Sequence, residues 1–214
     1  MIGLESWFSN FTQFSRKWIT AESLADVPRP HVEYAIWSTF KAAELMSVLG
    51  GLLAHPIYRF YLWKQLTPEM TTPNSHKIIR SKCRRLQGRF LLVGLFSAPL
   101  LSRLQTLQSG TTAAELQNKC YAIRCDGHGL TIDRCALVCG LVGWYWRRFQ
   151  GAVDGINIGL AYALFSTKVL EPRTSPMLRD HIHPDLRYNS VEAASENKSK
   201  LIKFFAEQDR KNSQ

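Results

Sequence analysis

Apolar residues along this chain gather into four stretches that are separated by polar segments. The stretches comprise residues 35–53, 90–102, 135–146 and 149–167. The first and the fourth are 19 residues long, whereas the second and the third have only 13 and 12 residues. A helix needs about 20 apolar residues to cross a membrane, and runs of about 10–14 are more often buried helices of soluble proteins. Length alone therefore predicts helices and favours a soluble protein.

Residues at the ends of these stretches favour a membrane instead. Arginines flank the two short stretches, and their long side chains can reach the water interface, which extends each stretch to about 15 residues. These arginines are Arg89, Arg103, Arg134 and Arg147. Aromatic residues also gather at the ends, as in the interfacial belt of membrane proteins. They are Tyr34, Trp37, Tyr58, Tyr61, Trp63, Trp144 and Trp146.

The distribution of charge along the chain predicts four membrane spans. The net charge of +10 arises from 27 basic and 17 acidic residues. Segment 59–89 has eight basic residues and one acidic residue, and only Arg147-Arg148 separates the third stretch from the fourth. The arm before residue 34 has three basic and four acidic residues, and segment 103–134 has four and three. Basic and nearly neutral connections thus alternate, as expected when the basic loops stay on one side of a membrane.

Small residues recur at every fourth position within all four stretches. This spacing lets helix backbones approach closely, and close approach is a main source of helix association in lipid. We therefore predict that helices pack through Gly50, Gly51, Gly94, Gly140, Gly143, Gly151, Gly155 and Gly159. The alternative is a soluble helix pair that also packs closely through glycine.

Charged residues lie inside and between the predicted spans. A charge at the centre of a bilayer is costly, so Arg147-Arg148 predicts two helices joined by a tight basic turn. Lys41 and Glu44 are three residues apart and can pair on one helix face. Asp154 can pair with Arg147 or Arg148, one or two helical turns earlier. The alternative role for Glu44 and Asp154 is to line a polar cavity that guides a polypeptide.

Both ends of the chain predict amphipathic helices. The N-terminal helix carries an apolar stripe and ends at Pro28-Arg29-Pro30. Its stripe consists of Leu4, Trp7, Phe8, Phe11, Phe14, Trp18 and Ile19. This helix can pack on its own protein, bind an interface or a partner, or belong to a cleaved presequence. Near the C-terminus, a helix capped by Ser190 is predicted, with a docking edge of Leu201, Ile202, Phe204 and Phe205.

Candidate metal-binding and redox residues occur in the sequence CYAIRCDGHG, which contains Cys120, Cys125 and His128. A structural zinc ion needs four ligands, and this segment supplies three. A disulfide between Cys120 and Cys125 and free thiols in a flexible loop are the other two interpretations, and we favour free thiols. His181 and His183 are expected in a solvated tail. Fingerprints of nucleophile elbows, phosphate loops, zinc proteases and dinucleotide sites are missing, so we predict no catalytic residue, metal or cofactor.

The stretch DRCALVCGLVGWYWRRFQGAVDGINIGLAYALFSTK, residues 133–168, resembles the last two membrane helices of the mitochondrial inner-membrane translocase (Tim) family. The shared features are spaced glycines at 140 and 143, a Trp-Arg-Arg turn, the glycine ladder from Gly151 to Gly159 and a basic stop at Lys168. Within that superfamily the stretch is most similar to the membrane-arm accessory subunit of respiratory complex I that shares the Tim fold. The resemblance covers 36 of 214 residues.

Pattern and resemblance together predict an all-α fold. It is a four-helix transmembrane bundle (31–170) with an amphipathic N-terminal arm (1–30) and a charged, soluble helical C-terminal tail (171–214). The resemblance implies a multi-pass protein of the mitochondrial inner membrane with both termini in the intermembrane space.

The function that the resemblance implies is that of a non-catalytic accessory subunit of complex I, NADH:ubiquinone oxidoreductase. Its glycine faces would pack against neighbouring helices and stabilise the membrane arm. The alternatives are a subunit of an inner-membrane protein-import translocase and a complex I assembly factor. Expected partners are other membrane subunits of a respiratory complex and an anionic lipid such as cardiolipin. Only the basic segment 77–89 supports a soluble nucleic-acid-binding protein, and we expect no nucleic acid partner.

Overall fold

The computed structural model of this chain describes residues 3–12, 20–67, 72, 74–174 and 187–212. Every regular element within these residues is helical, so the predicted all-α class is confirmed. The elements are α1 (Glu5–Thr12), a 3₁₀ turn (Ser23–Ala25), α2 (Pro30–Val48), a π-helical turn (Leu49–Ala54), α3 (His55–Lys64), α4 (Ser75–Gln108), α5 (Ala113–Cys125), α6 (Gly127–Phe165), a second π-helical turn (Ser166–Leu170), α7 (Glu171–Thr174) and α8 (Val191–Asn212).

The chain divides into two compact units. One unit, which we call the bundle unit, comprises residues 35–105 and 131–173. The other, which we call the Arg124 unit after its buried arginine, is drawn from residues 1–34, 106–130 and 174–214. The unit boundaries at 34 and 173 lie close to the predicted domain boundaries at 30 and 170, but segment 106–130 belongs with the two ends of the chain.

All four apolar stretches lie in the bundle unit. Its apolar core contains Ala43 from α2, Leu91 from α4, and Ala136, Val153 and Ile156 from α6. α2 and α4 run antiparallel, because Gly50 lies against Phe90 while Gly94 lies against Met46. The bundle unit thus brings α2, α4 and α6 together.

Two segments that were predicted as loops form helices. The basic segment 77–89 is the first part of the 34-residue α4, since residues 75–87 contain no proline or glycine to interrupt the helix. Segment 103–134 contains α5, whose N-terminus is fixed by a capping box between Thr112 and Glu115. The loop prediction was wrong in both cases. α4 extends beyond its apolar stretch, and α5 is a separate helix between two stretches.

Large apolar side chains cover the outside of the bundle unit. Phe96 is 73% exposed, Leu100 67% and Ile158 65%, while Ser47 and Gln87 are buried. Within the described residues, α4 is the helix that is long and apolar enough to cross a membrane. The finer expectation of four membrane spans stays a prediction.

The Arg124 unit has its own apolar core. Leu24, Ala25, Tyr121, Cys125 and Ala194 form it, so α5 and α8 pack with the 3₁₀ turn. Ser190 accepts a hydrogen bond from the backbone N–H of Ala193 at 3.2 Å, which confirms the predicted cap of the C-terminal helix.

Candidate functional site: a glycine hairpin and a buried polar stripe

α6 bends at Arg147 and Arg148. The part before the bend packs against the part after it as a tight antiparallel hairpin, through glycine. A Cβ atom added at Gly151 would overlap the carbonyl oxygen of Gly143, and one added at Gly155 would overlap that of Cys139. A Cβ atom at Gly159 would likewise meet the carbonyl oxygen of Cys135. Helix backbones therefore touch at three successive levels, and none of these levels has room for a side chain.

This hairpin changes the expected use of the glycine ladder. Gly151, Gly155 and Gly159 face the first part of α6 within the same chain. The predicted helix packing through these glycines therefore occurs within one chain, and packing of the chain against other membrane subunits stays a prediction.

The remaining predicted packing glycines also lie at contacts between helices of the bundle unit. Added Cβ atoms would stand 2.9 Å from the Cβ of Phe90 at Gly50, 2.8 Å from the Cγ of Met46 at Gly94 and 2.9 Å from the Cγ1 of Ile156 at Gly140. At Gly51 the nearest atom would be the Nδ2 of Asn157. Small residues thus set the spacing of α2, α4 and α6.

The turn of the hairpin lies at Arg147 and Arg148, as predicted from their charge. Arg147 leaves the helical region, and Arg148 has a positive φ of 54°, in a region that costs a non-glycine residue roughly 1–3 kcal/mol. Both arginines are exposed, and so is Asp154. The predicted pairing of Asp154 with these arginines was wrong, since the bend reverses the chain and the helical spacing does not continue across it.

An ion-pair cluster connects α2 with α6. The Nζ of Lys41 lies 3.2 Å from the Oε2 of Glu44, which confirms the predicted pair. It lies still closer, at 2.6 Å, to the Oδ1 of Asp133, whose side chain is 4% exposed. Asp133 was not predicted as a partner because 92 residues separate it from Lys41.

Further polar residues continue from this cluster along one face of α2 and α3. Lys41, Glu44 and Ser47 recur every three residues on α2, and His55 begins α3 after the π-helical turn; we call these four residues the polar stripe. Asn157 donates a hydrogen bond from Nδ2 to the backbone oxygen of Ser47 at 3.2 Å. The Nε2 of Gln87 lies 2.6 Å from the Nδ1 of His55. The three-residue spacing of Lys41, Glu44 and Ser47 was the signal in the sequence that could have revealed the part of this stripe on α2.

Several buried oxygen atoms on or beside the polar stripe have no hydrogen-bond partner among the described residues. They are Glu44 Oε1, Ser47 Oγ, Gln87 Oε1 and Asn157 Oδ1. Ser47 is fully buried and Gln87 is 3% exposed. An unpaired buried acceptor typically costs about 1–3 kcal/mol. The bundle unit therefore has buried hydrogen-bond acceptors that its own groups do not use.

The Arg124 unit contains a second buried ion pair. Arg124 is 2% exposed, and its Nε donates to the Oε2 of Glu33 at 3.0 Å. Its Nη1 donates to the backbone oxygens of Leu24 at 3.2 Å and Asp26 at 2.8 Å, and its Nη2 donates to the Oγ of Ser6 at 3.2 Å. One guanidinium therefore joins α5 to three segments of the N-terminal region.

Burial and the arginine act on Glu33 in opposite directions. Burial raises the pKa of the Glu33 carboxyl above its ordinary value, although the hydrogen bonds and charge of Arg124 act to lower it. Sequence reasoning missed Arg124, but Leu116, Cys120 and Arg124 follow one another at four-residue spacing on α5. That spacing places the arginine on the buried face of the helix.

Residues 7–166 match a family that is described as a protein of unknown function, DUF1757. The match runs from α1 to the end of α6 and covers most of the chain. The chain belongs to the DUF1757 family. A comparison with curated proteins found no match.

The cysteines of this DUF1757 protein are free thiols. Cys120 and Cys125 are both buried on α5, where five residues of separation turn them roughly 140° apart around the helix axis. The disulfide and the flexible loop were therefore both wrong, while the free thiols that we favoured are present. Cys120 donates to the backbone oxygen of Pro30 at 3.3 Å, and burial, with a smaller contribution from Glu33, raises the pKa of its thiol to about 12. Among the described residues no group of three potential ligands could hold a metal ion.

The first and the last helix of the DUF1757 protein, α1 and α8, each carry exposed apolar side chains. Leu201, Ile202, Phe204 and Phe205 of α8 are all exposed, as the predicted docking edge requires. On α1, the rings of Trp7 and Phe11 stack with centroids 5.2 Å apart, and Phe8 is 61% exposed. The rest of the predicted N-terminal stripe (Phe14, Trp18 and Ile19) and the pair His181 and His183 lie outside the described residues.

Proposed function

We propose that this DUF1757 protein is a multi-pass protein of the mitochondrial inner membrane that serves as a non-catalytic accessory subunit of respiratory complex I. In this role its bundle unit lies in the lipid and stabilises the membrane arm, while electron and proton transfer belong to its partners. The observation that carries the membrane part of the proposal is the arrangement of polar and apolar residues in the bundle unit.

That arrangement is the reverse of a water-soluble fold. Phe96, Leu100 and Ile158 point outward and are each at least 65% exposed, whereas Glu44 and Gln87 are buried. Monomeric soluble proteins rarely expose large continuous apolar surfaces. In lipid, by contrast, apolar side chains face the hydrocarbon, while small residues and polar contacts hold helices together.

The glycine hairpin supports the same environment. Glycine weakens a helix by about 1 kcal/mol in water relative to alanine, but a backbone inside lipid has no water to bond to and stays helical. The close contacts at Gly151, Gly155 and Gly159 then contribute packing energy with little cost in helix stability.

The location in mitochondria and the link with complex I rest on the resemblance of residues 133–168 to the Tim superfamily. In the proposed topology both termini lie in the intermembrane space, and the basic segment 59–89 and the Arg147-Arg148 turn face the matrix. Positive charge on the retained side of a membrane agrees with this orientation.

Native gel electrophoresis of mitochondria tests the proposal. The tagged chain should resist carbonate extraction and migrate with the megadalton respiratory complex, and its depletion should reduce assembled complex I while import continues. Extraction into the carbonate supernatant would contradict the membrane placement. Migration only in a small carrier assembly would contradict the accessory role.

The polar stripe favours a second candidate, a subunit of a protein-import translocase. Four buried oxygens of the bundle unit have no partner, and they would become hydrogen-bond acceptors for a polypeptide if the helices moved apart. Crosslinking of an arrested precursor to residues near Ser47 would support import, while loss of complex I with normal import would support the accessory role or that of an assembly factor.

A further inference from the structure

An apolar cleft opens on the surface of the bundle unit. Its volume of about 450 Å³ is within the range of about 300–1,000 Å³ that small-molecule sites occupy. It is lined by α2, α4 and both parts of α6. Its walls include Phe40, Leu91, Leu95 and Ile156. The charged residue on its wall, Glu44, is already paired with Lys41.

The wall of the cleft includes residues on both sides of the basic bend of α6. Trp144 and Phe149 line the cleft on either side of the bend, and Phe149 is 42% exposed. Arg147 and Arg148 lie between these two residues in the chain and are exposed. The apolar wall therefore ends where two positive charges begin.

α4 brings a third arginine to the same end. Gly88 packs against Phe149, since an added Cβ atom would stand 3.4 Å from the Cβ of that residue. Arg85 lies one turn earlier on the same face of α4, and Leu91 lies one turn later. Arg85, Arg147 and Arg148 are all exposed, and no ion pair joins any of them to another described residue. Positive charge at this end is thus available to an external anion.

We propose that the cleft and the basic bend together bind an anionic phospholipid. One acyl chain lies in the cleft between α2, α4 and α6, and the phosphate lies at the guanidinium groups of Arg147, Arg148 and Arg85. The proposal rests on the membrane placement proposed above, and it assigns the lipid a defined site.

The chemistry of the site selects an anionic lipid over a zwitterionic one. Guanidinium groups bind phosphate oxygens through paired, charge-assisted hydrogen bonds. A phosphatidylcholine headgroup also has a phosphate, but its trimethylammonium group adds a positive charge next to the arginines. An apolar chain alone is satisfied equally by both lipids, so the preference must come from the bend.

Native mass spectrometry of the full chain in detergent tests this site, with dioleoyl phosphatidylglycerol and dioleoyl phosphatidylcholine as probes. Phosphatidylglycerol should bind more tightly by roughly thirtyfold, if each of two arginines contributes as a basic residue near a membrane surface does. The variant R147Q/R148Q should lose this preference, and R147K/R148K should keep most of it. L141W, which places a larger side chain on an exposed position of the cleft wall, should weaken both lipids equally.

The matched control removes the same charge elsewhere in the bundle unit. Lys168 and Arg173 are exposed and lie after the far end of α6, so K168Q/R173Q should keep the preference for phosphatidylglycerol. Equal binding of the two lipids by the unchanged protein would overturn the proposal, as would an equal loss in the control variant. Thermal melting without lipid shows whether each variant is folded.

The lipid site and the proposed function can fail separately. A protein that prefers phosphatidylglycerol but migrates apart from complex I would contradict the proposed function and support the lipid site. A protein that migrates with complex I but binds both lipids equally would contradict the lipid site alone.

Discussion

The two units of this chain bury charge in different ways. In the Arg124 unit, the guanidinium of Arg124 is surrounded by acceptors from Glu33, Leu24, Asp26 and Ser6. In the bundle unit, four buried oxygen atoms on or beside the polar stripe have no partner, whereas the Arg124 unit has the Tyr121 hydroxyl in that state. A buried network whose members are all paired fixes one structure, whereas unpaired buried groups are costly and are often associated with function. Buried charge thus fixes the first unit, while close backbone packing holds the second.

The largest expected effect comes from breaking the glycine hairpin. Gly155→Leu places a side chain against the carbonyl oxygen of Cys139, where the opposing backbone cannot move aside as a side chain can. Overpacking costs about 1–3 kcal/mol when side chains can adjust, so we expect a greater loss here and little folded protein. Steady-state level and thermal melting in detergent measure the effect. Gly88→Ala, whose added Cβ would make an ordinary contact at 3.4 Å, is the matched control, and equal loss in both variants would contradict the hairpin.

Removing the buried arginine should have the next largest effect. Arg124→Met leaves Glu33 buried without its partner, and breaking a buried pair in this way costs about 3–5 kcal/mol. The double variant R124M/E33M should recover part of the stability, because it leaves no charge uncompensated. Denaturant unfolding of the full chain provides the measurement.

The exposed pair on α8 provides the control for that prediction. Lys200 and Glu196 are joined at 2.9 Å, but both side chains are about two-thirds exposed. Lys200→Met should leave the unfolding midpoint unchanged. A destabilisation similar to that of Arg124→Met would show that burial is not what distinguishes the two pairs.

A smaller and opposite effect is expected in the polar stripe. Ser47→Ala removes a buried oxygen that has no partner, so the free energy of unfolding should stay the same or rise by up to about 1 kcal/mol. Thermal melting compares this variant with the unchanged protein. A clear fall in the melting temperature would mean that the Ser47 hydroxyl makes a stabilising contact, and the contrast between the units would then disappear.

The smallest effect concerns thiol chemistry in the Arg124 unit. Because burial raises the pKa of Cys120 to about 12, its reactive thiolate is scarce at pH 8. Alkylation of the folded protein should therefore spare Cys120 and modify it rapidly after denaturation, as quantified by peptide mass spectrometry. Rapid modification in the folded state, or a peptide linked from Cys120 to Cys125, would contradict the described site.

The pH dependence of stability follows from the same thiol. Its folded pKa is raised above the ordinary value of 9.0, so the folded state holds the proton more tightly than the unfolded state does. This contribution is complete below about pH 9, and stability should fall as the pH rises from there towards 12. Cys120→Ala should show a shallower alkaline decline.

Local patterns in the sequence predicted the helices and their close contacts. Glycine spacing located the hairpin, paired charges located the turn and the contact of Lys41 with Glu44, and Ser190 marked the start of α8. Each of these signals lies within a few residues of chain. The sequence could not reveal Asp133 beside Lys41 or Glu33 beside Arg124, because more than 90 residues separate each pair.

Helix boundaries were predicted less well than helix contacts. The basic start of α4 and the whole of α5 were taken for loops because their apolar residues are sparse. Ile79, Cys83 and Gln87 are nevertheless buried at four-residue spacing, and this periodicity is a weaker signal than a continuous apolar stretch. The pairing of Asp154 failed for a related reason, since helical spacing ends at Arg148.

Thiol labelling of the outer face of the bundle unit in intact membranes tests the membrane placement most directly. Phe96→Cys and Ile158→Cys replace outward-facing residues, and Lys203→Cys provides an exposed position on α8. The probe is a water-soluble maleimide, and peptide mass spectrometry reads the modification. Of the three introduced cysteines, only the one at 203 should be modified before denaturation, since a thiol in hydrocarbon is out of reach of the reagent. Modification at positions 96 and 158 as fast as at 203 would show that water surrounds these helices and would contradict the proposed membrane protein.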